Sequence, residues 1–204
     1  MIVHPDYKGE NYYTDFWLEK SKKSGWMQND IAIIKLQTTL KFKARTNIRP
    51  ICLPKPDGDI KPEINNKVFI SGYGETESGE PAKQLRWSET NLISNEECTS
   101  QLSNYYKLND RISYHITASQ LCALSKNVDT CRGDSGGALA MPVTFGMTEQ
   151  TERYQLEGVT GWGFGCGLGI PGIYTKVSHF MEFILKHSKY VQTVENEMLS
   201  IRRV

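Results

Sequence analysis

Nine residues in the second half of the chain constrain its fold and chemistry more than any other segment. Residues 129–137 run Asp-Thr-Cys-Arg-Gly-Asp-Ser-Gly-Gly, so three glycines surround Ser135. A serine hydroxyl is a poor nucleophile until a base removes its proton, and the oxyanion that its attack creates needs fixed donors. Backbone N–H groups on a tight turn supply such donors. We therefore expect Ser135 to be a nucleophile, with the N–H groups of Gly133 and Ser135 as an oxyanion hole.

Three weaker patterns overlap this region or lie near it. Residues 133–137 match the G-x-S-x-G elbow of α/β-hydrolases, but that motif demands a helix straight after the serine, and Pro142 follows without a helical start. Arg132-Gly-Asp134 matches an integrin-type tripeptide by its letters only. Residues 167–172 match G-x-G-x-x-G, but Pro171 interrupts the pattern and no helix begins there. A phosphate site is not expected.

The apolar pattern predicts one mostly β domain. With 204 residues, of which 39% are hydrophobic, the chain can bury a core. Short apolar or alternating runs, bounded by Gly, Pro, Asn and Ser, predict strands within residues 31–36, 68–70, 85–93 and 156–160. Helical spacing places five apolar residues on one face near the carboxyl terminus: Val177, Phe180, Met181, Ile184 and Leu185. Residues 7–29, 98–122 and 141–155 are predicted to be long loops.

Charge and cysteine content exclude several classes of function. Lys and Arg number 24 against 23 Asp and Glu, so no strong field predicts a nucleic-acid or membrane partner. No apolar run approaches the roughly 18 residues that would span a bilayer. The five cysteines form no zinc-type spacing, and no metal or other cofactor is expected. An odd number of cysteines permits two internal disulfides and one remaining thiol.

Six motifs follow one another in a familiar order, and through them the sequence resembles the chymotrypsin-fold serine proteases over nearly its whole length. The motifs are Asn-Asp-Ile-Ala-Ile-Ile-Lys-Leu (29–36), Arg-Pro-Ile-Cys-Leu-Pro (49–54), Ser-Gly-Tyr-Gly (71–74), residues 129–137, Gly-Trp-Gly-Phe-Gly-Cys (161–166) and Pro-Gly-Ile-Tyr-Thr-Lys-Val (171–177).

The resemblance implies an all-β, chymotrypsin-like double β-barrel with an incomplete first barrel and a carboxyl-terminal α-helix. On this expectation a partial peptidase domain covers residues 1–190. The first barrel occupies about residues 1–55, the second about 56–176 and the terminal helix about 177–188. Residues 191–204 are expected to be a polar tail.

Four residues acquire catalytic or supporting roles from the resemblance. Asp30 corresponds to the aspartate that orients the catalytic imidazole, and Ser135 to the residue that attacks the scissile carbonyl. The N–H groups of Gly133 and Ser135 correspond to the oxyanion hole. Asp134 corresponds to the residue whose carboxylate pairs with the new amino terminus after activation cleavage.

The resemblance also implies a substrate class. Asp129 corresponds to the carboxylate at the base of the primary pocket, which selects Arg or Lys in a protein substrate. Gly161, Trp162, Gly163 and Gly172 correspond to substrate-binding positions, and Gly161 replaces a serine that usually hydrogen-bonds the catalytic aspartate. An aromatic-rich insertion before Asp30 is expected to overhang the cleft.

The same resemblance implies which cysteines form disulfides. Cys98 is expected to pair with Cys122, and Cys131 with Cys166. Cys52 is then free to tether an amino-terminal light chain or regulatory module, although a buried free thiol stays an alternative. The implied protein is a secreted, extracellular zymogen of a proteolytic cascade.

No histidine stands where the family places its general base. That segment should lie several tens of residues before Asp30, and only 29 residues precede it. His4 is expected at the surface, and the other three histidines are expected to be structural or solvated: His115, His179 and His187. We expect the chain alone to be inactive, with Met1 an internal methionine of a longer precursor or the start of a truncated gene model. The alternative is a non-catalytic homologue that acts as a binding or cofactor module.

Overall fold

The computed structural model describes residues 1–7, 27–38, 40, 42, 48–55, 63–105, 115–144 and 152–188. Two predictions lie outside these residues: most of the aromatic-rich insertion, at residues 8–26, and the polar tail at 191–204. None of the helices in the described ranges is long and apolar enough to cross a membrane.

Six antiparallel strands close into a barrel. They are β3 (Lys67–Gly72), β4 (Arg86–Ile93), β5 (Gln120–Leu124), β6 (Ala138–Thr144), β7 (Glu152–Trp162) and β8 (Gly172–Lys176), and their order around the barrel is β3-β4-β5-β8-β7-β6. Contacts between β3 and β6, such as Phe69 with Ala140, close the ring. Pro142 is tolerated in β6 because it lies beyond this ladder, where its missing N–H group removes no bond to β3.

Alternating residues of the strands fill the barrel. Val68, Leu139 and Tyr174 are almost fully buried, and they belong to one cluster with Ile70, Leu92, Ala123, Met141 and Val143. A bulge in the β6–β7 pairing arises because Leu139 opposes Gly158 while Ala140 opposes Leu156, which leaves Glu157 without a partner in the register.

A second, much smaller sheet precedes the barrel. Strands β1 (Ile2–Val3) and β2 (Ala32–Ile33) pair antiparallel, and among the described residues they pair only with each other. Ile34 and Leu36, directly after β2, are 72% and 60% exposed. Before β3, the described structure therefore contains one small two-stranded sheet, whereas the strands from β3 to β8 form a closed barrel.

The carboxyl-terminal helix that the sequence predicts is present. A short 3₁₀ helix (Val177–Phe180) leads directly into α2 (Met181–His187). Phe180 and Phe183 pack against Ile31 in a cluster that also includes Ile2 and Ile33. This mostly β architecture, with its closed barrel and terminal helix, confirms the predicted fold class.

Helix α1 (Asn95–Tyr105) occupies part of a segment that was predicted to be a loop. The Glu97 N–H donates to the Ser94 hydroxyl over 3.0 Å, as in a Ser-x-x-Glu capping box. The disulfide Cys98–Cys122 joins this helix to β5. The signal for α1 was thus present in the sequence as a cap, although its weak apolar pattern did not predict a helix.

Truncating Leu139 should test the barrel core. Leu139 is fully buried, so Leu139→Ala should lower the free energy of unfolding by about 2–5 kcal/mol through lost burial and a cavity. Leu85→Ala is the matched control, since Leu85 is 55% exposed and its truncation should change stability by no more than about 0.5 kcal/mol. Urea denaturation measures both. Equal losses would contradict the placement of Leu139 inside the barrel.

Candidate active site

Ser135 lies in the exposed part of a compact double turn. The Asp134 N–H donates to the Cys131 carbonyl oxygen over 3.0 Å, and the Gly137 N–H donates to the Asp134 carbonyl oxygen over 2.8 Å. Gly133 has a φ of 96°, in a region that residues with a side chain disfavour. The motif therefore needs a glycine here for the turn itself.

Strand β7 fixes this turn to the barrel. The Gly136 N–H donates to the Thr160 carbonyl oxygen over 2.9 Å, and the Thr160 N–H donates to the Gly137 carbonyl oxygen over 2.8 Å. A Cβ atom at Gly137 would lie 2.8 Å from the Asp134 carbonyl oxygen. The backbone on the carboxyl side of Ser135 is therefore held by the closed barrel.

The side chain of Asp134 reaches the glycine turn that ends β3. Its Oδ1 accepts the Gly74 N–H at 2.8 Å, and its Oδ2 accepts the Cys131 N–H at 2.9 Å. A Cβ atom at Gly74 would lie 2.5 Å from Oδ2, and one at Gly72 would overlap Oδ1. This carboxylate therefore requires both glycines. Its ion pair with a new amino terminus stays a prediction.

The backbone N–H groups of Gly133 and Ser135 belong to the same turn as the Ser135 hydroxyl. The Arg132 carbonyl oxygen accepts the Glu75 N–H at 2.8 Å. Because C=O and N–H point in opposite directions across a trans peptide, the Gly133 N–H points away from Glu75. Within the described part of the chain, neither Gly133 nor Ser135 donates its N–H to another protein group. Such a pair can hold an oxyanion.

Asp129 is a largely buried carboxylate beside this turn. Its Oδ1 accepts the Thr130 N–H at 2.8 Å, and its Oδ2 accepts the Gly167 N–H at 3.3 Å. Burial raises the pKa of Asp129 to about 6, against these two hydrogen bonds, which lower it. Asp129 and Asp134 both line a cavity of about 710 Å³ that also includes Gly74 and Gly167.

Glycines keep the space around Asp129 open. A Cβ atom at Gly172 would lie 3.1 Å from Asp129 Oδ1, and one at Gly163 would lie 3.9 Å from the Gly172 Cα. Gly163 and Gly172 thus face each other near the carboxylate. Trp162, two strand positions from Thr160, packs edge-on against Phe164 with ring centroids 5.3 Å apart. The disulfide Cys131–Cys166 ties the two loops of this region together.

Asp30 is brought to the same two strands. The Thr175 hydroxyl on β8 donates to the Asp30 carbonyl oxygen over 2.8 Å. Thr175 pairs with Val159 of β7, next to the Thr160 that holds the Ser135 turn. Partial burial raises the pKa of the Asp30 carboxyl group. The segments of Asp30 and Ser135 are therefore attached at adjacent positions of neighbouring strands.

Gly161 directly follows Thr160, at the irregularity in the β7–β8 pairing between Thr160 and Trp162. A Cβ atom there would lie 3.2 Å from the Ile173 carbonyl oxygen, which is close for any side chain. The resemblance had pointed to Gly161, but it assigned no role to Thr175 or to Gly167. Thr175 lies within the motif at residues 171–177, yet its partner is 145 residues away, and no local pattern announces such a contact.

The four histidines lie elsewhere in the described structure. The His4 ring packs on Phe183 and Phe180, with centroids 4.8 and 5.3 Å apart. His179 and His187 contact the same two phenylalanines. His115 is exposed before β5. His4, expected at the surface, is half-buried because its ring is covered by α2.

Cys52 lies on a segment that pairs with β7 at Gln155, before the part of β7 that pairs with β8. Its N–H donates to the Tyr154 carbonyl oxygen over 3.1 Å, and its carbonyl oxygen accepts the Leu156 N–H at 2.9 Å. The thiol is free and half-buried. A disulfide from Cys52 to another chain stays a prediction.

Comparison with known proteins agrees with the resemblance that the sequence motifs indicated. The sequence model of the trypsin family, described as "Trypsin", matches residues 1–184. Complement C1s subcomponent of Rattus norvegicus is 34% identical over 189 residues, which cover 91% of this chain and 25% of that protein. Calcium-dependent serine proteinase of Mesocricetus auratus is 32% identical, covering 91% of this chain and 24% of that protein.

An insect protein belongs to the same group of relatives. Serine protease Hayan of Drosophila melanogaster is 33% identical over 186 residues, which cover 89% of this chain and 26% of that protein. The chain thus spans about a quarter of the length of these relatives. Since the family model covers most of the sequence and the barrel carries the expected motifs, the chain belongs to the trypsin family of serine proteases.

Proposed function

We propose that this chain is the nucleophile-bearing part of a serine endopeptidase that cleaves peptide bonds after Arg or Lys. One observation carries the proposal. Ser135 is exposed on a turn with two unused N–H groups, and the Asp129 carboxylate, six residues earlier, lies beside Gly172, where a Cβ atom would be 3.1 Å from its Oδ1. A nucleophile, an oxyanion site and an anionic pocket are the parts that such a reaction needs.

Acyl-enzyme chemistry follows from these parts. As a base removes its proton, Ser135 Oγ attacks the scissile carbonyl carbon, and the N–H groups of Gly133 and Ser135 stabilise the oxyanion. The base then gives that proton to the leaving amine, and an acyl ester on Ser135 remains. Water then attacks the ester in the same way: the base removes a proton from the water, the two N–H groups stabilise the oxyanion, and Ser135 recovers its proton as the acid product leaves. Asp30 would orient the base and support its positive charge.

Substrate preference would come from Asp129. A carboxylate in a partly buried cavity attracts an ammonium or guanidinium group more strongly than an exposed one does. Gly163 and Gly172 leave room for a long side chain beside it, and Gly161 and Trp162 would contact the substrate backbone. Above about pH 6 Asp129 is mainly ionised, in line with its raised pKa.

We propose that the base comes from outside this sequence. His4, His179 and His187 are engaged with Phe180 and Phe183, and none of the four histidines contacts Ser135 in the described residues. We therefore propose that residues 1–204 alone do not cleave peptides. Activity would require a histidine supplied by additional polypeptide.

The biological setting is proposed from the relatives and from the cysteines. Complement C1s subcomponent and Hayan share the domain, which supports a secreted, extracellular zymogen of a proteolytic cascade. Two disulfides are typical of an oxidising compartment. Asp134 would then pair with the amino terminus released on activation, and Cys52 would tether a light chain or regulatory module.

A chimera tests catalysis. The part of rat complement C1s that precedes the matched region, joined to residues 1–204 and then cleaved at its activation site, should hydrolyse an arginyl ester and be labelled at Ser135 by a fluorophosphonate. Residues 1–204 alone and the Ser135→Ala chimera should show neither, because the first lacks the base and the second the nucleophile.

Circular dichroism and free-thiol counts provide the folding control for the chimera. A folded and cleaved chimera with both disulfides but without labelling would contradict the proposed activity. That result would favour the alternative, a non-catalytic homologue that acts as a binding or cofactor module.

Benzamidine, a small aromatic cation, tests the pocket without requiring catalysis. Its affinity for residues 1–204 should fall about ten-fold from about pH 8 to about pH 5, because protonation of Asp129 near pH 6 removes the negative charge. Isothermal titration calorimetry measures the change.

Two variants sharpen this measurement. Asp129→Asn should weaken benzamidine binding at about pH 8 and remove its dependence on pH. Glu77→Gln is the matched control, because Glu77 lines the same cavity but is exposed and paired with Arg86. If Asp129→Asn binds benzamidine as the unmodified chain does, Asp129 is not the specificity carboxylate.

A further inference from the structure

Asp30 lies at the centre of a tight turn. The Ile31 N–H group donates to the Asn29 carbonyl oxygen over 2.8 Å, which closes a γ-turn around Asp30. Asn29 itself has a φ of 57°, in the left-handed region that asparagine tolerates better than most residues with a side chain. The chain therefore changes direction sharply at the residue that would orient the base.

The side chain of Asn29 anchors the start of this turn. Its Nδ2 donates to the Asp6 carbonyl oxygen over 2.9 Å, 23 positions away in sequence. Asp6 belongs to a turn of its own, in which the Tyr7 N–H donates to the His4 carbonyl oxygen over 3.1 Å. The Asn29 amide thus ties the residue before Asp30 to a second turn.

Thr175 anchors the end of the turn through its hydroxyl group, which donates to the Asp30 carbonyl oxygen over 2.8 Å. The Thr175 side chain is buried, and the residue pairs with Gln120 of β5 on one side and Val159 of β7 on the other. Strands with a neighbour on each side open least often in a folded protein. The peptide group after Asp30 is therefore attached to a firmly held part of the barrel.

These hydrogen bonds fix the direction of the Asp30 side chain. A peptide group is planar, so when the groups before and after a residue are both bonded, the tetrahedral Cα atom between them determines where the Cβ atom points. Apolar contacts of Ile31 also hold the segment near α2, but apolar packing is non-directional. Hydrogen bonds have preferred angles, so the orientation of Asp30 depends on Asn29 and Thr175.

The carboxyl group of Asp30 has no such anchor of its own in the described residues. None of them donates an N–H or O–H group to it, and burial alone raises its pKa. Asp134 differs in this respect, because both of its carboxylate oxygens accept backbone N–H groups. Within the described structure, the Asp30 carboxylate is therefore directed through its backbone and its rotamer.

We propose that Asn29 and Thr175 are positioning residues, which aim the Asp30 carboxylate at the catalytic base by fixing the backbone on either side of it. This inference rests on the proposed function, in which Asp30 orients that base. Both residues act through Asp30 and not on the substrate.

Hydrogen exchange of residues 1–204, followed by mass spectrometry, tests whether Thr175 holds the turn. Thr175→Val removes the hydroxyl but keeps a β-branched side chain, so the amides of residues 30–33 should exchange about ten-fold faster relative to those of β3 and β6. Thr175→Ser keeps the hydroxyl and should restore most of the protection. Thr90→Val is the matched control, because Thr90 is also buried but lies on β4, which does not neighbour β8.

Asn29→Gly tests the other anchor and leaves the barrel unchanged, so it stays decisive if Thr175→Val fails to fold. Glycine accepts the left-handed φ but has no amide for the Asp6 carbonyl oxygen, and residues 30–33 should again exchange several-fold faster. Asn65→Gly is the matched control, because Asn65 also has a positive φ, of 70°, and precedes β3. Native protection in either variant would remove that residue from the proposal, and native protection in both would overturn it.

Turnover by the cleaved chimera tests the catalytic consequence. Thr175→Val and Asn29→Gly should each lower kcat for the arginyl ester about ten-fold per benzamidine-binding site and leave KM unchanged, because the base is misdirected while the pocket is intact. Thr175→Ser should recover most of the lost kcat. A loss of folded protein would lower the number of binding sites instead. Unchanged kcat in both variants, despite faster exchange, would refute the positioning role.

Failure of the proposed function gives a different result. An unmodified chimera that is folded, cleaved and inactive would contradict that function. The exchange rates of residues 30–33 require no catalysis, so they would still decide whether Asn29 and Thr175 fix the turn at Asp30.

Discussion

The carboxylate of Asp134 is the constraint on which the candidate site depends. Both of its oxygens accept backbone N–H groups, one from Gly74 after β3 and one from Cys131 at the start of the turn. Leaving such a carboxylate without donors away from water would cost several kcal/mol. Because Asp134 directly precedes Ser135, the bonds that satisfy its side chain also fix where the Ser135 backbone lies.

Asp129, five residues earlier, shows what a different environment does to the same kind of group. It has one short hydrogen bond, from Thr130, and a longer one from Gly167, while burial dominates and the Asp134 charge adds to its effect. Its pKa therefore rises to about 6. The Asp134 carboxylate fixes the conformation of the turn. The Asp129 carboxylate is stabilised less well by its own hydrogen bonds, so a positively charged ligand can stabilise it further.

Local patterns predicted a mostly β domain, the terminal helix and the turn around Ser135, because those features depend on residues close in sequence. The barrel was implied by the family resemblance alone, since its closure pairs distant residues such as Phe69 and Ala140. Local patterns did not predict α1, although Ser94 and Glu97 form its cap, since its apolar face is limited to Cys98 and Leu102. The hydrogen bond from the Thr175 hydroxyl to the Asp30 carbonyl oxygen was not predicted either. It joins residues 145 positions apart, and only the folded barrel brings them together.

The segment that carries Ser135 is held by more of the fold than the segment that carries Asp30. Ser135 is attached to a closed barrel, in which every strand has two neighbours and no edge is free. Asp30 lies two residues before β2, which belongs to a sheet of two short strands that, in the described residues, pair only with each other. Such a sheet is marginal by itself, so the position of Asp30 depends on Thr175 and on the contacts with α2. Local opening concentrates where few contacts hold a segment. Control of this site therefore acts most easily through Asp30, because moving Ser135 would require breaking the barrel.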